Sequence, residues 1–226
     1  MKKIKINLAL ILLILICNVS YAQHSDVEHM YFDAKSLTSI DLRSKKLMGT
    51  SYINEEFLPA KISNNEIFNL IRYNAYLDEM EVEIGGKAYY LPKTTIYSIN
   101  FVGSNKEYLI ANYNESGIEK RGFFVLLTSG DNVTLLKQEK IKLYEEVPAK
   151  LGFTQYEPPK LGRLKDKYFI GYKNNTTVEL PKKKKDFLGL FSGKSKDVEK
   201  FIKNNKLNIK STEDLTRIFN YYNTLN

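Results

Sequence analysis

The run Glu79-Met80-Glu81-Val82-Glu83-Ile84-Gly85-Gly86 constrains the fold more than any other stretch of this sequence. Apolar and acidic residues alternate with a period of two, which gives a strand one dry and one wet face. The paired glycines that follow supply the positive φ angles of a tight hairpin, and residues 87–91 form the returning strand. The same pattern recurs where residues 96–102 meet 107–112 across Gly103-Ser104-Asn105-Lys106. It recurs again where 123–128 meet 133–136 across Ser129-Gly130-Asp131-Asn132. Residues 48–147 therefore read as antiparallel β-structure, a meandering sheet that curves or closes as a sandwich or barrel.

Past residue 145 the alternation fades and Pro148, Pro158 and Pro159 interrupt the chain, as in a connection laid over a core. One more hairpin is predicted from residues 167–172 and 176–180, turning at Asn174-Asn175. The C-terminal end is helical. Val198, Phe201 and Ile202 share one helix face, and Asn204-Asn205 break the pattern. Ser211 caps a second helix whose first turn holds Glu213 and Asp214, and Leu215, Ile218, Phe219 and Tyr222 form its apolar stripe. Two such short helices need a packing partner, in each other or in the sheet.

The first residues are of another kind. Lys2, Lys3 and Lys5 precede an almost unbroken apolar run over 6–16, shorter than the ~20 residues a membrane span requires. Ser20-Tyr21-Ala22 follows, with small residues where signal peptidase needs them, so cleavage after Ala22 is expected, leaving Gln23 first. A lipoprotein signal is rejected because bulky Leu15-Ile16 precede Cys17. Since Cys17 falls within the signal peptide, disulfides, thiolate chemistry and zinc–cysteine sites are excluded from the mature chain. The expected organisation is a signal peptide over 1–22, an antiparallel β domain over 23–147, a Pro-containing connection with a short hairpin over 148–181, and a basic helical part over 182–226.

Removing three lysines and no acid from a chain of formal charge +8 leaves +5. Its distribution is uneven. Residues 23–136 hold 11 Lys and Arg against 15 Asp and Glu, whereas 137–226 hold 20 against 11. An acidic front and a basic back imply two surface environments.

Several stretches taken in order carry a resemblance: Gly49-Thr-Ser-Tyr-Ile-Asn-Glu-Glu-Phe57 with Pro59, Arg72-Tyr-Asn-Ala-Tyr-Leu-Asp-Glu-Met80, Leu180-Pro-Lys-Lys-Lys-Lys-Asp-Phe187 and Val198-Glu-Lys-Phe-Ile-Lys-Asn-Asn-Lys-Leu207. Asp214-Leu and Tyr221-Tyr-Asn complete the set. Together they resemble a group of uncharacterised secreted proteins of Bacteroidota, chiefly flavobacteria. The group has no assigned activity, so the resemblance implies an address and no chemistry.

Catalytic patterns are sparse. His24 and His29, with Asp26 and Glu28, would offer at most a weak divalent-metal site at a fraying terminus, and no cofactor or metal is expected. No Ser/His/Asp constellation or phosphate loop can be assembled. Glu79, Glu81 and Glu83 fall on the wet face of their strand, and Glu55-Glu56 sits beside Phe57 and Pro59. These carboxylates support a hydrolase only as an alternative. The 16 tyrosines need no ligand, because tyrosine favours strands, and sugar platforms more often use tryptophan, which the chain lacks.

Lys182, Lys183, Lys184 and Lys185 are the candidate binding residues. Four cations beside a short helix oppose its dipole by ~0.3–1 kcal/mol when exposed, a cost consistent with solubility or with binding an anionic partner. Lys194, Lys196, Lys200, Lys203 and Lys206 extend the basic surface. Nucleic acid is not expected as a partner, since aromatics do not interleave the lysines and export separates the protein from it. The sequence thus reads as an exported non-enzymatic protein, periplasmic, cell-surface or extracellular, that binds an envelope protein or an anionic lipid surface. No transmembrane segment is expected in the mature chain, and a structural or adhesive component is a further alternative. Intact mass of the protein recovered outside the cytoplasm should begin at Gln23; a species retaining residues 1–22 would overturn the cleavage.

Overall fold

The structure is a computed structural model and describes residues 47–225, apart from 64, 105, 132, 151–154, 172–175 and 192, together with residues 32–33. The expected signal peptide over 1–22, both histidines and the turn at Asn174-Asn175 lie outside the described residues. The chain is mainly β. Six strands come first: β1 (Phe32–Asp33), β2 (Leu58–Ile62), β3 (Phe68–Asn74), β4 (Glu79–Ile84), β5 (Lys87–Tyr90) and β6 (Ser98–Phe101). Then follow β7 (Glu107–Glu115), β8 (Ile118–Thr128), β9 (Thr134–Gln138), β10 (Ile141–Tyr144), β11 (Lys160–Arg163), β12 (Lys167–Gly171) and β13 (Thr176–Glu179). Three helices end the chain: α1 (Lys184–Leu188), α2 (Ser195–Asn204) and α3 (Thr212–Asn223).

The local signals hold. Gly85 and Gly86 both take positive φ (57° and 77°) between β4 and β5, a conformation glycine adopts without steric cost. The hairpins expected around residues 103–106 and 129–132 are present as β6–β7 and β8–β9. A third, β7–β8, turns at Ser116-Gly117, where Asn114 Oδ1 accepts from Gly117 N at 2.8 Å. Ser211 caps α3, its Oγ accepting from Asp214 N at 3.3 Å.

The long strand β7 is the branch point. Its one edge pairs with β8 along eight residues. Its other edge is shared, with β6 opposite Glu107–Leu109 and β13 opposite Asn112 and Tyr113. From β6 the sheet continues through β2, β3, β4, β5 and β1, antiparallel throughout. From β13 it runs through β12 and β9 to β8 and so back to β7, which closes a five-stranded barrel. The seam is the parallel pair β13–β7, reinforced by Thr177 Oγ1 donating to Asn112 O at 2.8 Å. The segment read as a hairpin within a connection is therefore a wall of this barrel. In the stretch read as irregular, β11 pairs with β10 in a small separate sheet. Gly49 packs here at φ 84°, so close that a β-carbon would meet Leu161 O at 2.3 Å.

Three apolar clusters result. The first lies inside the curved front sheet and includes Ile71, Tyr73, Met80, Val82, Ile99, Tyr108, Phe123 and Val125. The second fills the barrel: Phe124 of β8 and Tyr113 of β7 both meet Phe169 of β12 edge to face, at 5.0 and 5.9 Å. The third joins the helices to the outer face of the barrel, where Leu135 and Ile170 pack against Phe187, Phe191, Val198, Ile202, Leu215, Ile218 and Phe219. Alternation along β7 and β8 sends successive side chains into different cores. Tyr108, Ile110, Phe123 and Val125 enter the front cluster, and Leu109, Ala111, Tyr113, Phe124 and Leu126 the barrel.

Phe123 and Phe124 should consequently be equally intolerant although they are neighbours. Each Phe→Ala change is expected to cost ~3–5 kcal/mol in urea unfolding. A loss below ~1 kcal/mol at either position would show that its face is not a packed core.

Candidate functional site

The acidic strand departs from expectation. Glu81 is not on a wet face, being 3% exposed. Residues 51–57 fold across this part of the sheet, where Ile53 N donates to Tyr73 O and Ala75 N to Ser51 O. Arg72 lies between the rings of Tyr52 and Phe57, its guanidinium carbon 3.9 and 4.2 Å from their centroids. Its Nε donates to Glu81 Oε2 at 2.8 Å, while Tyr52 Oη and Asn74 Nδ2 donate to Oε1 at 3.2 and 3.3 Å. The charge is buried because it is paired and hydrogen-bonded. Glu79 shares Lys93 with Asp78, at 3.0 and 3.5 Å. Burial pushes both carboxyls up, Lys93 countering it. Asp78 also accepts from Tyr73 Oη at 2.7 Å and Phe123 N at 3.1 Å. Glu55 and Glu56 are exposed, and Glu55 O accepts from Arg72 Nη1 at 3.1 Å.

A second buried carboxylate was not singled out from the sequence. Glu139, 2% exposed, lies just past β9. Lys106 Nζ and Tyr108 Oη donate to its Oε2 at 2.7 and 2.6 Å, and Arg163 Nη2 donates to Oε1 at 2.8 Å with Lys137 Nζ 3.2 Å from the same oxygen. Burial alone would raise the carboxyl; Lys106, the Tyr108 hydroxyl and Lys137 more than reverse this and hold it at about 2. The residue ties the β6–β7 turn, β9 and β11 together, and both of its carboxylate oxygens are engaged in doing so.

The lysine run divides in space. Lys183 is the N-cap of α1 without a side-chain cap bond. Lys184 and Lys185 form the first turn, and Lys184 Nζ sits 3.4 Å from Glu199 of α2. Lys182 lines a groove of about 700 Å³ between the β12–β13 hairpin and the chain before α3. Three lysines not singled out from the sequence join it there: Lys165 and Lys167 at the start of β12, and Lys210 beside the Ser211 cap. Tyr168, Leu180, Pro181 and Ile209 supply its apolar floor. A 2.5 Å hydrogen bond between Tyr168 Oη and Thr212 Oγ1 fixes hairpin to helix.

The acids of the groove are already engaged. Asp166 meets Arg163 at 3.0 Å and Lys137 at 3.5 Å, and Glu179 meets Lys167 at 3.0 Å. Lys165, Lys182 and Lys210 form no ion pair among the described residues. Three unpaired cations, beside two acids already engaged and over an apolar floor, make a site for an anionic group with an apolar flank.

One further polar group stands out beyond the Lys167–Glu179 pair. Gln138 is 2% exposed, and its Nε2 has no hydrogen-bond partner among the described residues. An amide donor so buried costs ~1–3 kcal/mol. No group of three or more metal-ligating side chains occurs among the described residues, and no described helix is long and apolar enough to cross a membrane.

No family model, curated protein or solved structure matches the chain.

The Glu139 cluster sets a pH dependence. A carboxyl at about 2 in the folded chain and ~4.3 unfolded adds stability that is complete above the unfolded value and is lost as pH falls through the folded one. On that account ~3 kcal/mol should disappear between about pH 5 and 2. The raised carboxyls of Asp78 and Glu79 act with the opposite sign. Urea midpoints measured across this range should therefore fall less steeply for Glu139→Gln, which starts weaker at neutral pH. A variant with the wild-type slope would remove Glu139 as the source.

Proposed function

We propose that this chain is an exported binding protein of the bacterial envelope, related to the Bacteroidota secreted group it resembles, and that its lysine-lined groove receives an anionic component. The observation that carries the reading is the convergence of Lys165, Lys167, Lys182 and Lys210, from three separated segments, on one groove with an apolar floor. The address rests on the lysine-flanked apolar run and the Ser20-Tyr21-Ala22 site. Carboxylate hydrolysis has less support: Glu81 and Glu139 are locked in ion pairs, and Asp78 and Glu79 share Lys93.

An adhesive role has an observation of its own. Phe68 and Leu70 are exposed on β3, with Pro59 opposite Leu70 on β2. A contiguous apolar patch of that kind is the mark of a contact surface. The groove is favoured because its charges define what it would take.

Crosslinking in cells that express the tagged protein, followed by mass spectrometry, tests the reading. Wild type would be compared with Lys165→Gln/Lys182→Gln/Lys210→Gln and with Lys183→Gln/Lys185→Gln. The partner should be lost in the first variant and kept in the second, and its affinity in vitro should fall roughly 100-fold, at ~1 kcal/mol per lysine near an anionic surface. Equal capture by all three proteins would remove the groove from binding, and loss only in the second would move the site to α1.

A further inference from the structure

We propose that the mouth of the five-stranded barrel is a second binding site, one that takes a small uncharged polyhydroxylated ring, a neutral monosaccharide in size and chemistry, through the amide of Gln138. Where β7, β9 and β13 end and β12 begins, the barrel opens into a cavity of about 170 Å³. Tyr113 and Phe169, rings edge to face at 5.9 Å, are its two aromatic lining residues, and the rest of its lining is polar. By volume it has room for about five or six waters, or for one six-membered ring with its hydroxyl groups.

The charges at its rim are satisfied. Lys167 and Glu179 pair with each other at 3.0 Å, and Glu115 is held by Lys120 and Lys140 at 2.6 Å each. Hydrogen bonds from Lys120 and then Lys140 keep the Glu115 carboxyl at about 2, firmly ionised and paired. An ionic ligand would meet no unpaired counter-charge there, which separates this site chemically from the lysine groove beyond the Lys167–Glu179 wall.

Gln138 lines the cavity, and its amide nitrogen is without a partner among the described residues. It shares the inner face of β9 with Thr134 and Leu136, and a leucine in its place would leave nothing unsatisfied. A buried unsatisfied donor weakens the fold and is explained by a ligand that completes it. The last torsion of a glutamine side chain is broad and nearly two-fold, so the amide can turn either its NH₂ or its oxygen to the cavity. A hydroxyl, which both donates and accepts, suits either orientation. Asn114 and Ser116 also line the cavity and offer further polar groups to a hydroxylated ring.

The test is a titration of the ¹⁵N-labelled mature chain, watching the Gln138 side-chain amide, with neutral hexoses and N-acetylhexosamines into the millimolar range and with inorganic phosphate as the anionic control. A sugar should shift that resonance and phosphate should not. Gln138→Leu should bind at least tenfold more weakly and melt at a higher temperature, because it removes the unsatisfied amide. Gln138→Met serves the same comparison if the leucine variant does not fold. The proposal is overturned if no sugar moves the Gln138 amide, if the cavity admits water only, or if the variant binds as tightly as wild type. The lysine variants of the groove leave this pocket intact, so failure of one site is distinguishable from failure of the other.

Discussion

Away from its exposed turn, the hairpin of β7 and β8 has no solvated face, and the rest of the molecule is arranged around that fact. Over residues 108–111 and 123–126 the strands present apolar side chains at odd and even positions alike, so each face needs its own cover. The front sheet covers one, through Ile71, Met80 and Ile99. The barrel encloses the other, around Phe124 and Phe169. Because the second cover arrives as a closed ring, the outer wall of that ring becomes a third apolar surface, over which the helices lie. A strand pair that is dry on both sides thus leads to a sheet, a barrel and a helical layer in turn.

Buried charge is managed by the same economy of partners. Glu81 and Glu139 are both out of water, each surrounded by an arginine, a tyrosine hydroxyl and further donors. They fix loop to sheet in the front half and strand to strand where front and barrel meet. With the acids committed internally, the lysines of the second half of the chain are left over, and the groove between hairpin and helices is where several of them gather. Its positive character follows from the pairing of its own acids, Asp166 with Arg163 and Lys137 and Glu179 with Lys167, as much as from the number of lysines.

The parts of this architecture that sequence reasoning reaches are those determined by near neighbours. Gly85-Gly86 announces its turn, the Ser211 cap opens α3, and the spacing of Val198, Phe201 and Ile202 describes the buried face of α2, with Phe201 stacked on Tyr221 at 4.1 Å. Glu81 misleads because the period of two assigns it to water, whereas Tyr52 and Arg72, remote in sequence, cover it. Closure into a barrel is among the expectations, but the strands that close it are not legible for a similar reason: the seam joins Thr177 to Asn112, 65 residues away. The groove was partly within reach. The hairpin expected over residues 167–180 already carries Lys165 and Lys167 back beside Lys182, although nothing local brings Lys210 to them. Gln138 gives no signal at all, since an alternating strand ending in glutamine looks like any strand leaving a core.

The parallel seam also imposes an order in time. As the chain emerges from its N-terminal end, the β7–β8 hairpin is complete at Thr128, and the front sheet has what it needs to fold against it. Its other face, with Tyr113 and Phe124, must wait for β12 and β13, and β13 ends only at Glu179. Long-range closure of this kind is slow, because the intervening loop must be gathered before any contact rewards it. Throughout that interval an aromatic surface stands open, the condition in which unfinished β-proteins find one another instead of themselves. A chain built this way depends on being kept apart from its copies until its last third has arrived.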